Sequence, residues 1–137
     1  MPEPTTRRQY PTQPASVAQA RTLVREFLRE WGITDAAGED TENAILVTSE
    51  LATNAVTHAC TRSHFWLALE LFGDVLHIAV RDYETEAPAK KNAAQGDVHG
   101  RGLFLVDSLS CDWGWCVETT GKTVWAELRV KVPACSG

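Results

Sequence analysis

The sequence predicts an α+β fold, a two-layer sandwich in which helices cover one face of a mostly antiparallel, mixed sheet. Two early stretches repeat apolar residues every three or four positions, as a helix face does, and two later pairs of stretches alternate every second residue, as hairpins do. The order helix, helix, hairpin, loop, helix, hairpin gives one sheet with helices packed against it. At 137 residues the chain has the size of one domain, which we expect over residues 16–132 with tails at 1–15 and 133–137.

Two helices are expected in the first half of the chain. From Ser16, a candidate N-cap, apolar residues recur at helical spacing as far as Trp31. The second helix is expected from about residue 39 or 40 to Ala59, and its apolar residues occupy one sector of its surface. The polar side chains that border this sector are Asn43, Glu50, Asn54 and His58. Polar groups therefore line the edge of a buried face.

Two hairpins and a short helix complete the predicted fold. The hairpins pair residues 63–72 with 75–82 and 113–119 with 122–132, through turns at Gly73-Asp74 and Thr120-Gly121. Tyr83 to His99 has no sustained period and is predicted to be a long loop, after which Gly100-Arg101-Gly102 opens a helix from Leu103 to about Leu109. The N-terminal tail is rich in proline and is expected to be flexible. A short edge strand at Arg7 to Tyr10 is an alternative for part of it.

Composition and charge narrow the classes of function. The 18 acidic and 13 basic residues give a net charge of −5, and no run of Lys or Arg could follow a phosphate backbone, so nucleic acid is not expected as a ligand. No apolar stretch approaches the ~20 residues of a membrane span, and Met1 to Gln13 has no apolar signal-peptide centre. We therefore expect a cytoplasmic protein without a membrane partner. Cys60 and Cys116 are expected to be core thiols, and no cysteine has a zinc-ligand spacing.

Glu50 and Asn54 are the first candidates for chemistry, because residues four apart on a helix project from the same face. The Asn54 amide oxygen is a hard ligand of the kind that Mg²⁺ takes, with phosphates and water filling its other positions. A carboxylate one turn earlier can orient or deprotonate an attacking hydroxyl or water. The alternative is that both residues are solvated polar groups of an amphipathic helix.

Two further features have the chemistry to bind parts of a nucleotide. The glycines of Gly100-Arg101-Gly102 let backbone amides approach an anion at a helix N-terminus, where Arg101 adds charge. Asp82 stands where a strand runs into the long loop, and its carboxylate can accept the amino hydrogens of a purine. The alternatives are a plain loop-to-helix turn and an Asp that ends its strand by bonding its own backbone.

The order of these elements resembles a known superfamily. This order is similar to that of the GHKL-type ATPases of gyrase, heat-shock chaperones, histidine kinases and mismatch repair. It consists of a Glu-x-x-x-Asn helix, a hairpin ending in Asp, a long loop, Gly-x-Gly-Leu at a helix and a Gly-x-Thr hairpin. Within that superfamily the chain resembles the stand-alone anti-sigma factor serine/threonine kinases of bacteria, which regulate transcription. The resemblance extends from Val17 to Val130 and is strongest at residues 49–59 and 100–107. It implies the Bergerat, or histidine-kinase-like, fold.

The resemblance also implies a role for each candidate residue. Glu50 matches the catalytic base, Asn54 the magnesium ligand, and Asp82 the carboxylate that reads the adenine amino group. Thr123 matches a threonine that helps to hold the adenine. The motif that matches the phosphate-covering lid contains Gly100, Arg101, Gly102 and Leu103. ATP and Mg²⁺ are the implied cofactors, and the loop before this motif is the implied mobile lid.

One stretch departs from the family pattern. The family has D-x-G-x-G at the adenine site, whereas this chain has Asp82-Tyr83-Glu84-Thr85-Glu86, without a glycine. Side chains there can crowd a nucleotide, and Glu84 and Glu86 add negative charge near a polyanion. This departure argues against tight ATP binding.

Three functions are open at this point. The first is a protein kinase that transfers phosphate from ATP-Mg²⁺ to a small regulatory partner, with Glu50 activating the partner's hydroxyl. The alternative is a catalytically inactive module that holds a sigma factor or an anti-sigma factor antagonist, with weak or no nucleotide binding, and plain ATP hydrolysis is the least favoured. A homodimer is left open. Trp66 is expected to point away from the core face of its strand, either toward a partner or over helix stems.

Overall fold

The computed structural model describes residues 4–33, 38–58, 63–83 and 98–132. Its helices and strands follow one another along the chain. They are β1 (Thr5–Pro11), α1 (Ala15–Glu30), α2 (Glu39–His58), β2 (His64–Phe72), β3 (Val75–Asp82), α3 (Val98–Leu109), β4 (Asp112–Glu118) and β5 (Gly121–Arg129). None of these described helices has both the length and the apolar character needed to cross a membrane.

The strands form one five-stranded sheet in the order β1-β2-β3-β5-β4. Every strand pairing in the described residues is antiparallel. Helix α2 packs against β3 and β5, and it also contacts both α1 and α3. The predicted two-layer α+β fold is therefore confirmed, with an antiparallel sheet.

The core lies between the sheet and the helices, and the alternating pattern of the strands fills it. In β2, β3 and β5, every second residue is buried on the helix side. The fully buried residues of these strands are Phe65, Leu67, Leu69, Leu76, Ile78 and Ala126. Each large apolar side chain buried in this way contributes about 1.5–3 kcal/mol to folding, so this inner face fixes the register of the sheet.

The N-terminal segment contributes more structure than the sequence predicted. The possible edge strand is present and extends over Thr5–Pro11, where it pairs with β2. Ser16 is not an N-cap: helix α1 begins one residue earlier, and the fully buried Ser16 hydroxyl donates to the Pro11 carbonyl at 2.6 Å. The N-cap is Pro14, whose ring favours its φ of −55° and allows the chain to turn from β1 directly into the helix.

Helix α3 begins earlier than predicted, at Val98 instead of Leu103. Glycine is unfavourable in helix interiors, which is why Gly100-Arg101-Gly102 was expected at the entrance of the helix and not within it. Leu103 and Val106 are buried and anchor the helix against the rest of the fold. This packing outweighs the propensity of the two glycines, which lie in the first turn and a half. The part of the predicted loop at residues 84–97 lies outside the described residues.

Two expectations about single side chains are resolved on the outer face of the sheet. Cys116 is exposed and is not a core thiol, because it lies on edge strand β4 and pairs with Thr123 on the side away from the helices. Cys60 lies outside the described residues. Trp66 points away from the core, as expected, and the Arg7 guanidinium of β1 covers its ring at 4.6 Å, so it does not cover helix stems.

Candidate functional site

The two ends of the sheet differ, and one of them fixes the directions of the helices. At the end where β5 finishes, the Asp40 carboxylate near the start of α2 accepts a bond from the Lys131 amide at 2.7 Å. Cys111, two residues after the end of α3, donates its amide to the Glu127 carbonyl at 2.8 Å. We call this the tethered end. It holds the N-terminus of α2 and the C-terminus of α3.

The opposite end of the sheet is formed by Asp82, the last residue of β3, and Gly121, the first residue of β5. We call it the Asp82 end. Helix α2 has 20 residues and therefore a length of about 30 Å, which matches the roughly 27 Å of an eight-residue strand. Since α2 starts at the tethered end and packs against β3 and β5, its C-terminal half, with Glu50 and Asn54, is directed toward the Asp82 end.

Helix α3 brings its N-terminus to the same end. Its C-terminus is held at the tethered end by Cys111 and by a bond of 2.7 Å from the Trp113 indole to Asp107. Twelve helical residues extend about 18 Å from there, and the helix packs against α2. The first turn of α3 therefore points toward the end at which β3 stops.

Asp82 lies on the helix side of the sheet, at the base of this end. It continues the inward series of Ile78 and Val80 and is only 2% exposed. The side chain directly opposite on β5 is Lys122, which is 3% exposed, and its Nζ lies 3.9 Å from Asp82 Oδ2. Buried lysines are rare unless they are paired. The carboxylate predicted to read a purine thus has a buried cation beside it.

Gly121 lets the two strands approach closely at this point. A Cβ added there would come within 2.2 Å of the Asp82 carbonyl oxygen and 3.2 Å of the Tyr83 Cα. Both are backbone atoms, which cannot move aside as the end of a flexible side chain can. Only glycine fits at residue 121, and this close approach fixes Lys122 opposite Asp82.

Thr123 does not join Asp82. Inward and outward residues alternate along β5, so Lys122 and Val124 face the helices while Thr123 faces the other side. Thr123 lies opposite Arg81 and Cys116 on that outer face. The resemblance assigned Thr123 to the adenine site, but the position on the same face as Asp82 is held by Lys122.

Glu50 and Asn54 are placed on neighbouring turns of α2, as their spacing predicts. Asn54 is 8% exposed, and Glu50 is half-buried. The preceding residue, Ser49, accepts a bond of 3.1 Å from Arg21 of α1, which fixes this turn of α2 against its neighbour. The mostly buried amide of Asn54 is suited to be a fixed metal ligand. The half-exposed carboxylate of Glu50 is suited to contact a substrate.

The glycine motif lies within the start of α3. The amides that lack partners in an α-helix belong to its first four residues, here 98–101. Gly100 and Arg101 are within this set, whereas Gly102 and Leu103 are one turn inside the helix. The anion-binding end of the helix dipole is consequently some residues earlier than the sequence indicated.

Lys122 is the residue of this end that sequence reasoning missed. Its signal was present, because it stands two positions before Val124 in an alternating strand and therefore on the inward side. What the sequence did not reveal was the pairing of β3 directly with β5. That pairing places Lys122 beside Asp82.

Comparisons with known proteins agree with this architecture. The family model described as histidine kinase-like ATPase domain matches residues 10–128, so the chain belongs to that family. This confirms the predicted membership of the GHKL-type superfamily. Among curated proteins, none matches the sequence significantly.

Several solved structures share the fold, and two of them illustrate it. One contains the RsbU and RsbW domains of Rv1364c from Mycobacterium tuberculosis, with 22% identity and a TM-score of 0.73 over 97% of this chain and 34% of that one. The other is the histidine kinase domain of the blue-light activated histidine kinase of Erythrobacter litoralis EL346, with 19% identity and a TM-score of 0.53 over 85% of this chain and 60% of that one. The chain thus spans about a third of the first structure and three fifths of the second.

The residues of the Asp82 end fit a magnesium nucleotide in most respects. Asn54 offers one hard oxygen ligand, the first amides of α3 offer donors for phosphate, and Asp82 offers an acceptor for an amino group. Lys122 is the exception, because it offers a second cation where a purine base would have to lie. The family and this donor set support ATP binding, while the base end is more crowded than a simple adenine pocket.

Proposed function

We propose that this chain binds ATP with Mg²⁺ at the Asp82 end of the sheet and acts in the bacterial cytoplasm as a regulatory protein of the anti-sigma factor kinase type. It would phosphorylate a serine or threonine of a protein partner, in the way that such kinases act on anti-sigma factor antagonists. The proposal is supported by the course of the two helices: the start of α2 and the end of α3 are bonded at the tethered end, so the other ends of both helices are directed toward the end at which β3 stops.

The family resemblance suggests a role for each group in this proposal. Asn54 is the protein ligand of Mg²⁺, the first amides of α3 with Arg101 bind phosphate oxygens, and Asp82 accepts the adenine amino group. When bound, ATP would supply the γ-phosphoryl group and leave as ADP, and Mg²⁺ would neutralise part of the phosphate charge. Glu50, half-buried one turn before Asn54, accepts the proton of the partner's hydroxyl as the oxygen attacks.

A second candidate function is a binding module that holds a sigma factor or an antagonist without catalysis. Two observations favour it: the buried Lys122 beside Asp82, and the absence of the two pattern glycines from the stretch Asp82 to Glu86. This function requires weak or no nucleotide binding. Plain ATP hydrolysis is not favoured by any feature of the described residues.

Calorimetric titration with ATP, with and without Mg²⁺, tests nucleotide binding. Hydrogen bonds to charged groups contribute about 1.5–3 kcal/mol, so Asp82→Ala should weaken binding by at least ~10-fold. Asn54→Ala should remove only the dependence on Mg²⁺. Asp74→Ala is the matched control, because it removes an exposed aspartate at the tethered end and should leave binding unchanged.

The outcomes of this titration separate the candidates. Saturable binding that ignores Asp82→Ala and Asn54→Ala would place the nucleotide elsewhere, and no binding at all would favour the non-catalytic module. For the kinase, Glu50→Gln should retain ATP and lose phosphotransfer to the partner. Equal transfer rates in wild type and Glu50→Gln would remove Glu50 from the mechanism.

A further inference from the structure

Lys122 is the most unusual group at the Asp82 end. It is a charged side chain with only 3% exposure, on the inner face of the sheet, and its ammonium lies 3.9 Å from the Asp82 carboxylate. A lysine in such a place is stable only if an anion compensates its charge. Asp82 provides that anion.

The position of Lys122 is fixed by the sheet and not by a loop. Asp82 and Lys122 are direct partners across the antiparallel β3 and β5 ladder. The next inward residues of the two strands, Val80 and Val124, are also direct partners and are 2% and 3% exposed. The close approach at Gly121 holds the strands together one residue further on. The lysine therefore cannot leave the carboxylate by a simple shift of the backbone.

A purine amino group and the lysine ammonium are both attracted to the Asp82 carboxylate. The ammonium lies 3.9 Å from Oδ2, which is an ion-pair distance and longer than a hydrogen bond, so the competition concerns the charge of the carboxylate and the space beside it. Asp82 and Lys122 are both almost fully buried, so a base cannot be added beside them without moving one of them. Lys122 has a long flexible side chain, whereas Asp82 is short and is held at the end of its strand.

We propose that Lys122 is a specificity-determining residue of the base end, which lowers the affinity of the site for adenine nucleotides by pairing with Asp82 and filling the space beside it until the base displaces its side chain. This inference rests on the proposed function, since it takes the Asp82 end as the nucleotide site. It gives the site a built-in reason for weak binding that is separate from the missing glycines. Lys122 acts on the base and not on the phosphates, so adenosine must respond to its removal as strongly as ATP does.

The test is to measure the binding of adenosine and of ATP-Mg²⁺ by wild type and by Lys122→Thr, at pH 8. Threonine removes the ammonium and most of the side-chain volume, so both ligands should bind about 10-fold more tightly, which corresponds to ~1.4 kcal/mol. Lys122→Met is the second variant, because it removes the charge while keeping an apolar chain of similar length in the core. It should also gain affinity for both ligands.

Lys131→Thr is the matched control, because it removes one positive charge from an exposed position just beyond the same strand. It should leave both affinities unchanged. If wild type binds ATP and neither Lys122 variant binds adenosine more tightly, the role of Lys122 is overturned while the nucleotide site stands. If wild type and both variants all fail to bind adenosine and ATP, the nucleotide site and the role of Lys122 are overturned together.

Discussion

The two ends of the sheet each carry an aspartate paired with a cation, and the pairs differ in almost every physical respect. At the tethered end, Arg129 Nη1 lies 3.0 Å from Asp74 Oδ2, with side chains 70% and 51% exposed. At the Asp82 end, Lys122 and Asp82 are 3.9 Å apart and each 3% exposed. The exposed pair has the shorter distance but contributes less to stability, because water already solvates both of its charges.

This difference fits the proposal that the Asp82 end binds a ligand while the tethered end serves the structure. The tethered end is joined by backbone hydrogen bonds and by a pair that water would replace at little cost. The Asp82 end keeps two charges in the interior, and apolar residues in their place would often be no less stable. Burying charge there is consistent with a site that a polar ligand enters.

The largest effect is expected when each aspartate is replaced by asparagine. Asp82→Asn leaves the buried Lys122 ammonium beside a neutral amide, and breaking a buried pair costs about 3–5 kcal/mol. Asp74→Asn should cost less than ~1 kcal/mol, because its pair is exposed. Urea unfolding at pH 7 measures both values, and equal losses for the two variants would contradict the distinction between the ends.

Close packing at Gly121 should give the next largest effect. The methyl group of Gly121→Ala meets backbone atoms of Asp82 and Tyr83, so we expect a loss of about 1–3 kcal/mol and a weaker β3–β5 pairing at this end. Gly114→Ala is the control, since the atoms nearest to its methyl group belong to a side chain, that of Trp125, at 2.9 Å, and not to the backbone. Thermal unfolding compares them, and a larger loss for Gly114→Ala would argue against tight backbone contact at the Asp82 end.

A smaller effect is expected for the coupling between the exposed charges. A double-mutant cycle with Asp74→Ala and Arg129→Ala should give a coupling free energy of about 0.2–1 kcal/mol at low salt. In 1 M salt the Debye length falls to about 3 Å, and this coupling should disappear. A coupling that persists at high salt would mean that the tethered end is less exposed to solvent than its geometry indicates.

The smallest effect at neutral pH is expected at Tyr10, a buried group that carries no charge there. Its buried hydroxyl makes at most a weak hydrogen bond with the Arg8 side chain, so Tyr10→Phe should change the free energy of unfolding at pH 7 by no more than ~0.5 kcal/mol. Burial raises the pKa of Tyr10, while the charge of Arg8 lowers it in part.

The raised pKa also gives a dependence on pH. Wild type should keep its stability up to the unfolded-state pKa of about 10 and lose stability as the pH rises through the folded-state pKa. Tyr10→Phe should lose less over the same range. Thermal unfolding between pH 9 and 11 measures this, and parallel losses in both proteins would show that Tyr10 is not the group that titrates.

The sequence was sufficient for most of the fold because helical and alternating periods are local properties. The strands that contain Phe65 and Ile78 and the helix that contains Leu51 follow from spacing alone. The start of α3 did not follow, because the burial of Leu103 and Val106 outweighs the glycines, and that burial is a tertiary property. Ser16 was misplaced for a similar reason, since its hydroxyl bonds back to the preceding strand.

For the candidate site, the sequence identified individual residues such as Glu50 and Asn54, but it did not show which side chains lie beside one another. Spacing was enough to place Glu50 and Asn54 on one face of α2. The pairing of β3 with β5 was needed to show that Lys122 lies beside Asp82 and that Thr123 faces away. This pairing joins residues 40 positions apart, so no local pattern in the sequence could indicate it.

The central claim is that the Asp82 end, and not the tethered end, binds ATP-Mg²⁺. Titrating the ¹⁵N-labelled full chain with ATP-Mg²⁺ and following its amide NMR signals tests it directly. We predict that the signals of Glu50, Asn54, Asp82, Lys122 and the first turn of α3 shift together, while those of Asp40, Asp74 and Arg129 stay in place. Shifts concentrated on the second group, or none in the first, would contradict the claim.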